Sequence, residues 1–191
     1  FEMAGNVYNH YPDAREMDFH DFYEEIRCGR MPKTSQINRE TYFRFFEPIL
    51  KAGKDILYLV FSSGLSGTYQ ASVLAAEELE EKYPDQRIIC VDSKSASIGE
   101  GLLVYAAAVQ RDKGLSIDEL ADWLTRNRGH VCHWFTVDDL NHLRRGGRIS
   151  SVAAVAGTAL GIKPILKVDD EGHLVSAYKV RGRKKAMDTL V

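Results

Sequence analysis

Ile56-Leu57-Tyr58-Leu59-Val60-Phe61, followed by Ser62-Ser63-Gly64-Leu65-Ser66-Gly67, is the segment on which the fold turns. An unbroken apolar run of this length, rich in β-branched and aromatic residues, reads as a strand buried on both faces, because a half-exposed strand would alternate. The small polar loop after it and the stretch from Thr68 to about Tyr83 read as a turn and a helix. The unit then recurs: Ile88 to Val91 is apolar, Asp92 to Ser97 is small and polar, and Gly99 to Lys113 reads as a helix ending before Gly114. Two strand–turn–helix units predict an α/β fold, a parallel sheet flanked by helices.

Working outward toward the N-terminus, Asn38 caps a helix whose apolar stripe is Tyr42, Phe45, Phe46, Ile49 and Leu50, with a kink expected at Pro48 and an end at Gly53. The loop Arg30-Met31-Pro32-Lys33-Thr34-Ser35-Gln36 precedes it. Before that loop lies a helix capped by Asp18 and closed by Gly29, with Phe19, Phe22, Tyr23 and Ile26 on one face, whereas residues 1–17 show no period. Toward the C-terminus, Ser116 and Glu119 form a capping box for a further helix, and Val131 to Val137 reads as a third buried strand. Asp138 to Arg145 is a short helix stopped by Gly146-Gly147, and residues 150–160 form an Ala-rich helix. Ile165 to Val168 and Leu174 to Val180 make a hairpin around Asp170-Glu171-Gly172. The change of character divides the chain into an α/β domain over residues 1–137 and a second α+β domain beginning at 138–191.

Composition narrows the classes. A net charge of -2 over 191 residues supplies no global drive toward nucleic acid or an anionic membrane, so any charge effect is local. No apolar run approaches the roughly 20 residues that span a bilayer, which argues against stable membrane insertion. Cys28, Cys90 and Cys132 are odd in number and widely spaced, without a C-x-x-C pair; Cys90 and Cys132 fall in apolar runs and are expected to be buried, inert thiols of a reducing cytoplasm. The histidines and acids show no metal-ligand spacing, so neither a metal nor a cofactor is indicated.

The chemistry concentrates in the loop Ser62 to Tyr69. A turn between a strand and a helix aims unpartnered backbone N–H groups at the carboxyl end of the sheet, where they receive anions. Ser62, Ser63, Ser66 and Thr68 add hydroxyls. No lysine stands in the loop and G-x-x-x-x-G-K-[ST] is absent, which disfavours a nucleotide and suits a carboxylate or a simple phosphate. The nucleophile elbow G-x-S-x-G also fails, since Thr68 stands where its second glycine would be. A serine-dependent acyl hydrolase or transferase using Ser66, with His130, His133, His142 or His173 as base, is the alternative from another class. Arg144-Arg145-Gly146-Gly147-Arg148 and Arg181-Gly182-Arg183-Lys184-Lys185 are basic turns able to hold an oxyanion. Nucleic-acid binding ranks last, because neither cluster interleaves with exposed aromatics.

Six motifs in register, Pro32-Lys33-Thr34-Ser35-Gln36, Ser62-Ser63-Gly64-Leu65-Ser66-Gly67-Thr68-Tyr69, Asp92-Ser93, Leu143-Arg144-Arg145-Gly146-Gly147-Arg148-Ile149, Ile162-Lys163-Pro164-Ile165-Leu166 and Lys179-Val180-Arg181-Gly182-Arg183-Lys184-Lys185-Ala186, resemble those of the DegV family over roughly residues 18–191. The resemblance implies a two-domain lipid carrier, not an enzyme, that binds one long-chain fatty acid such as palmitate, stearate or oleate in a buried tunnel. It implies that hydroxyls of Thr34 and Ser66, with Ser35 and Ser63 as neighbours, hold the carboxylate for phosphorylation by a separate fatty acid kinase serving bacterial phospholipid synthesis. Arg148, Arg181 and Arg183 would dock the kinase or face the phosphate. The family's opening strand with Thr-Asp-Ser and its C-terminal portion, which supplies a histidine near the carboxylate, are both missing here; no histidine of this sequence inherits that role, and the Phe1 start fits a fragment.

Overall fold

The computed structural model describes residues 1–149 and 161–191. The chain folds as two compact units, Phe1–Gln36 and Ile37–Val191. In the first, strands β1 (Glu2–Met3) and β2 (Asn6–Val7) pair antiparallel around Ala4-Gly5. At two residues each they are too short to leave a period in the sequence. Lys33 extends the pairing by exchanging backbone hydrogen bonds with Glu2 at 2.8 and 2.9 Å. The Phe1 ring stacks on Tyr8 and meets Phe22 edge-on, both with centroids 5.2 Å apart. Phe22 belongs to helix α1 (Phe19–Arg27), which starts as expected where the Asp18 carboxylate accepts the His20 amide at 2.8 Å.

The second unit opens with α2 (Arg39–Lys51), capped by Asn38, whose side chain accepts the Thr41 amide at 2.9 Å. The helix runs on through Pro48. Next come β3 (Ile56–Val60), α3 (Thr68–Lys82), β4 (Ile88–Asp92), α4 (Ser97–Asp112) and α5 (Ile117–Asn127), the last begun by the Ser116–Glu119 capping box. β3 and β4 are parallel, in register from Ile56 opposite Ile88 to Val60 opposite Asp92. Because side chains alternate across a strand, the pair feeds two cores. Ile56 and Ile88, with Tyr58 and Cys90, pack against Tyr42, Phe46 and Leu50 of α2 and Ala75, Ala76 and Leu79 of α3. Val91, with Leu57, Leu59 and Ile89, packs against Leu103 of α4 and Ala121 and Leu124 of α5. A fully buried leucine such as Leu79 or Leu124 contributes about 1.5–3 kcal/mol through removal of its apolar surface from water. This is the predicted α/β arrangement, with helices on both faces of a parallel pair. Phe45 and Ile49 of the expected α2 stripe remain exposed.

The remainder is antiparallel: β5 (Trp134–Thr136), helix α6 (Asn141–Arg145), β6 (Ile162–Val168), β7 (Leu174–Arg181) and helix α7 (Arg183–Leu190). The sheet order is β5-β6-β7. The hairpin expected around residues 170–172 is present. The third buried strand expected over 131–137 shrinks to three partly exposed residues and joins β6, not the parallel pair. That pairing crosses the expected division at 137/138. Shortening of the strand also corrects the expectation for Cys132, which lies ahead of β5 and is exposed; Cys28 is exposed too, and Cys90 is partly buried. The expected helix over 150–160 lies outside the described residues. Among the described residues, no helix is long and apolar enough to cross a membrane.

Candidate functional site

The loop Ser62–Gly67 stands at the carboxyl end of β3 and opens onto the first turn of α3, whose leading amides have no carbonyl one turn back to receive them. Ser66 is half-buried, and its Oγ lies 2.8 Å from Thr68 Oγ1, with the Thr68 amide donating to the Ser66 oxygen at 3.2 Å. One hydroxyl of the pair donates to the other, so among the described residues one O–H is left for an acceptor. Gly67 caps α3 without a side-chain bond. The helix dipole, leading amides that meet no carbonyl among the described residues, and a hydroxyl thus converge on a point that favours negative charge. Thr68 is itself held: the Tyr42 hydroxyl, kept protonated by a pKa that burial pushes far up, donates to the Thr68 carbonyl at 3.1 Å.

The loop is braced from three sides. Within it, the Ser62 carbonyl accepts the amides of Leu65 and Ser66 at 3.0 and 3.2 Å. From the β4–α4 loop, the Ser95 carbonyl accepts the Ser62 amide at 2.9 Å. Asp92, at the end of β4, accepts the Ser63 amide and hydroxyl at 3.1 and 2.6 Å and the Lys94 amide at 3.0 Å. From the β6–β7 hairpin, Gly172 accepts the Ser62 hydroxyl at 2.8 Å, and the Gly64 amide donates to the same hydroxyl oxygen at 3.2 Å. The approach is backbone to backbone. A Cβ on Gly64 would stand 2.8 Å from the Gly172 carbonyl carbon, and one on Gly172, whose φ is +86°, would overlap Ser62 Oγ. Two glycines face each other because nothing larger fits.

The residues singled out in the sequence therefore part company. Ser66 presents a hydroxyl at the helix mouth, whereas Ser62 and Ser63 spend theirs on Gly172 and Asp92. Thr34 and Ser35 lie exposed in the Phe1–Gln36 unit, directly after the Lys33 bridge to β1. Arg148 comes to the loop, its Nε donating to the Leu65 carbonyl at 3.3 Å. Arg181 ends β7, and Arg183 begins α7, 3.5 Å from Asp138, which also pairs with Lys163 at 3.0 Å. None of the histidines proposed as a base hydrogen-bonds Ser66 among the described residues; His133 instead meets Ser95, His130 meets Asn127, and His173 lies 3.6 Å from Asp169. Asp92, Gly172 and Ser95 were missed as members of the site. Only the Asp92-Ser93 motif hinted at them, since an acid at the end of a buried strand needs donors nearby.

A parallel α/β pair carrying an anion-receptive hydroxyl turn defines the class of protein. The family is then specific: the model described as "Uncharacterised protein, DegV family" matches residues 5–191, and the chain belongs to that family. It is 53% identical over 169 residues to a DegV domain-containing protein of Clostridium perfringens, covering 88% of this chain and 58% of that protein. A DegV family protein from Thermus thermophilus, solved in a study of its fatty acid binding, superposes with a TM-score of 0.81 at 33% identity, covering 97% of this chain and 64% of that one. The fatty acid kinase B3 protein of Streptococcus pneumoniae, loaded with linoleic acid, superposes with a TM-score of 0.80 at 26% identity, covering 91% and 61%. The chain thus spans less than two thirds of these proteins.

Proposed function

We propose that the chain is part of a cytoplasmic fatty acid carrier in which the mouth of α3 holds the carboxylate of a long-chain fatty acid such as palmitate, stearate or oleate. The observation that carries this reading is the half-buried Ser66–Thr68 hydroxyl pair at a helix N-terminus with no lysine in its loop. Neutral donors orient a carboxylate while leaving its oxygens nucleophilic; a lysine clamp would compete for the same electron pairs. The Thermus protein, solved in a study of its fatty acid binding, and the Streptococcus protein, loaded with linoleic acid, support a fatty acid as the class of ligand. The family resemblance gives Thr34 and Ser35 a role in holding the carboxylate, and Ser63 shapes the Ser62–Gly67 loop through Asp92. Most of the affinity comes from the tail, at about 0.8 kcal/mol for each buried CH₂ before ordering terms.

In this reading a separate fatty acid kinase phosphorylates the presented carboxylate, and the acyl phosphate feeds phospholipid synthesis. Arg148 and Arg181 serve kinase or phosphate docking, with Arg183 joining them when released from Asp138. Native mass spectrometry followed by denaturing extraction tests the ligand: a stoichiometric fatty acid is expected, and its loss in Thr34→Ala/Ser66→Ala identifies the carboxylate end. A protein that carries none and takes up no added oleate would overturn the reading.

A further inference from the structure

Ser95 is buried in the β4–α4 loop, and its hydroxyl lies 3.0 Å from Nε2 of His133. His133 occupies a narrow slot. Its ring lies so close to the first turn of α4 that a Cβ on Gly99 would overlap it, and its carbonyl accepts the Val168 amide at 3.3 Å where the β6–β7 hairpin begins. The residue therefore joins the antiparallel sheet to the loop after β4. Burial lowers the pKa of its imidazole, so the ring stays neutral at ordinary pH and one nitrogen remains an acceptor.

What the ring holds leads to the hydroxyl loop. The Ser95 carbonyl receives the Ser62 amide at 2.9 Å and the Ser93 hydroxyl at 3.3 Å, and the Ser93 oxygen receives the Ser95 amide at 3.1 Å. Ser62 in turn receives the Ser66 amide on its carbonyl. Resting on the fatty acid reading above, we infer that His133 is a positioning residue of the carboxylate site, which fixes Ser95 by its Nε2 and through Ser95 and Ser62 sets the place of Ser66. It touches no ligand itself. A histidine serves here because its flat ring slides past the Gly99 backbone and still delivers a polar atom to Ser95.

Titration calorimetry with oleate on delipidated protein tests this. His133→Phe keeps a flat ring and removes the polar nitrogens; oleate affinity is expected to fall roughly three- to tenfold, the worth of one hydrogen bond. His133→Gln restores an amide near the Nε2 position and is expected to recover most of that affinity, a rescue that general loosening of the fold would not produce. Ser95→Ala removes the same bond from the other side with little change in volume, and Ser95→Ala/His133→Phe should be no weaker than the worse single variant. Equal affinity of wild type, His133→Phe and Ser95→Ala would overturn the inference while leaving the fatty acid reading intact. Equal losses in His133→Phe and His133→Gln would also overturn it, since ring shape alone would then explain them. A wild type that fails to bind oleate at all would overturn both.

Discussion

Replacing Gly172 by alanine tests whether the hairpin tip braces the hydroxyl loop. Its φ of +86° is left-handed, and a Cβ there would overlap Ser62 Oγ. The left-handed conformation costs an alanine about 1–2 kcal/mol. Displacing the Ser62 hydroxyl from the Gly172 carbonyl adds roughly 0.5–1.5 kcal/mol, for a total of about 1.5–3.5 kcal/mol. Gly114→Ala is the internal control: its φ is +97°, but nothing stands within 4 Å of the added carbon, so only the conformational part applies. Urea unfolding of both variants, followed by far-ultraviolet circular dichroism, measures the difference. A Gly172→Ala loss no larger than that of Gly114→Ala would show that the contact with Ser62 contributes nothing and that the loop keeps its shape unaided.

Leu79, fully buried between α3 and the sheet, should lose about 2–5 kcal/mol when cut to alanine, read from the same urea curves. Thiol labelling with a chromogenic disulfide should modify Cys28 and Cys132 rapidly and Cys90 slowly, because burial raises the pKa of the Cys90 thiol and removes its reactive thiolate; equal rates for all three would contradict the packing of β4. Burial also raises the pKa of Glu100 on α4. The folded state therefore holds that proton to higher pH than the unfolded one, and stability falls as pH rises through the folded value. Glu100→Gln should accordingly raise the urea midpoint near pH 7.5, with the gain vanishing near pH 4, below the unfolded pKa.

Local grammar carried much of the fold. Asp18, Asn38 and the Ser116–Glu119 box cap helices where their side chains predict, because a cap is decided within three or four residues. The apolar runs at 56–61 and 88–91 found each other in parallel because only burial on both faces explains them. Partners chosen at a distance were not legible. β5 is three residues long and takes its neighbour from packing, and with it went the expectation for Cys132. Phe45 and Ile49 fit the helical period of α2 but are 62% and 39% exposed, since a stripe marks the face of a helix and not how much of it is covered. In the site, Ser66 and the helix mouth were readable from the strand–turn–helix pattern. The commitments of Ser62 and Ser63 were not, because Gly172 and Asp92 lie 110 and 29 residues away.

The span between Ser62 and Gly172 has a consequence for the order in which the molecule matures. Helix α3 and the β3–β4 pair can close early on a growing chain, through contacts between near neighbours, whereas the clasp on Ser62 must wait until the β6–β7 hairpin has been made and folded back. A partly synthesised or partly unfolded chain would thus own a sheet, its helices and a slack hydroxyl loop. The loop therefore takes its braced shape only once the hairpin has closed on Ser62, however early its own strand and helix have formed.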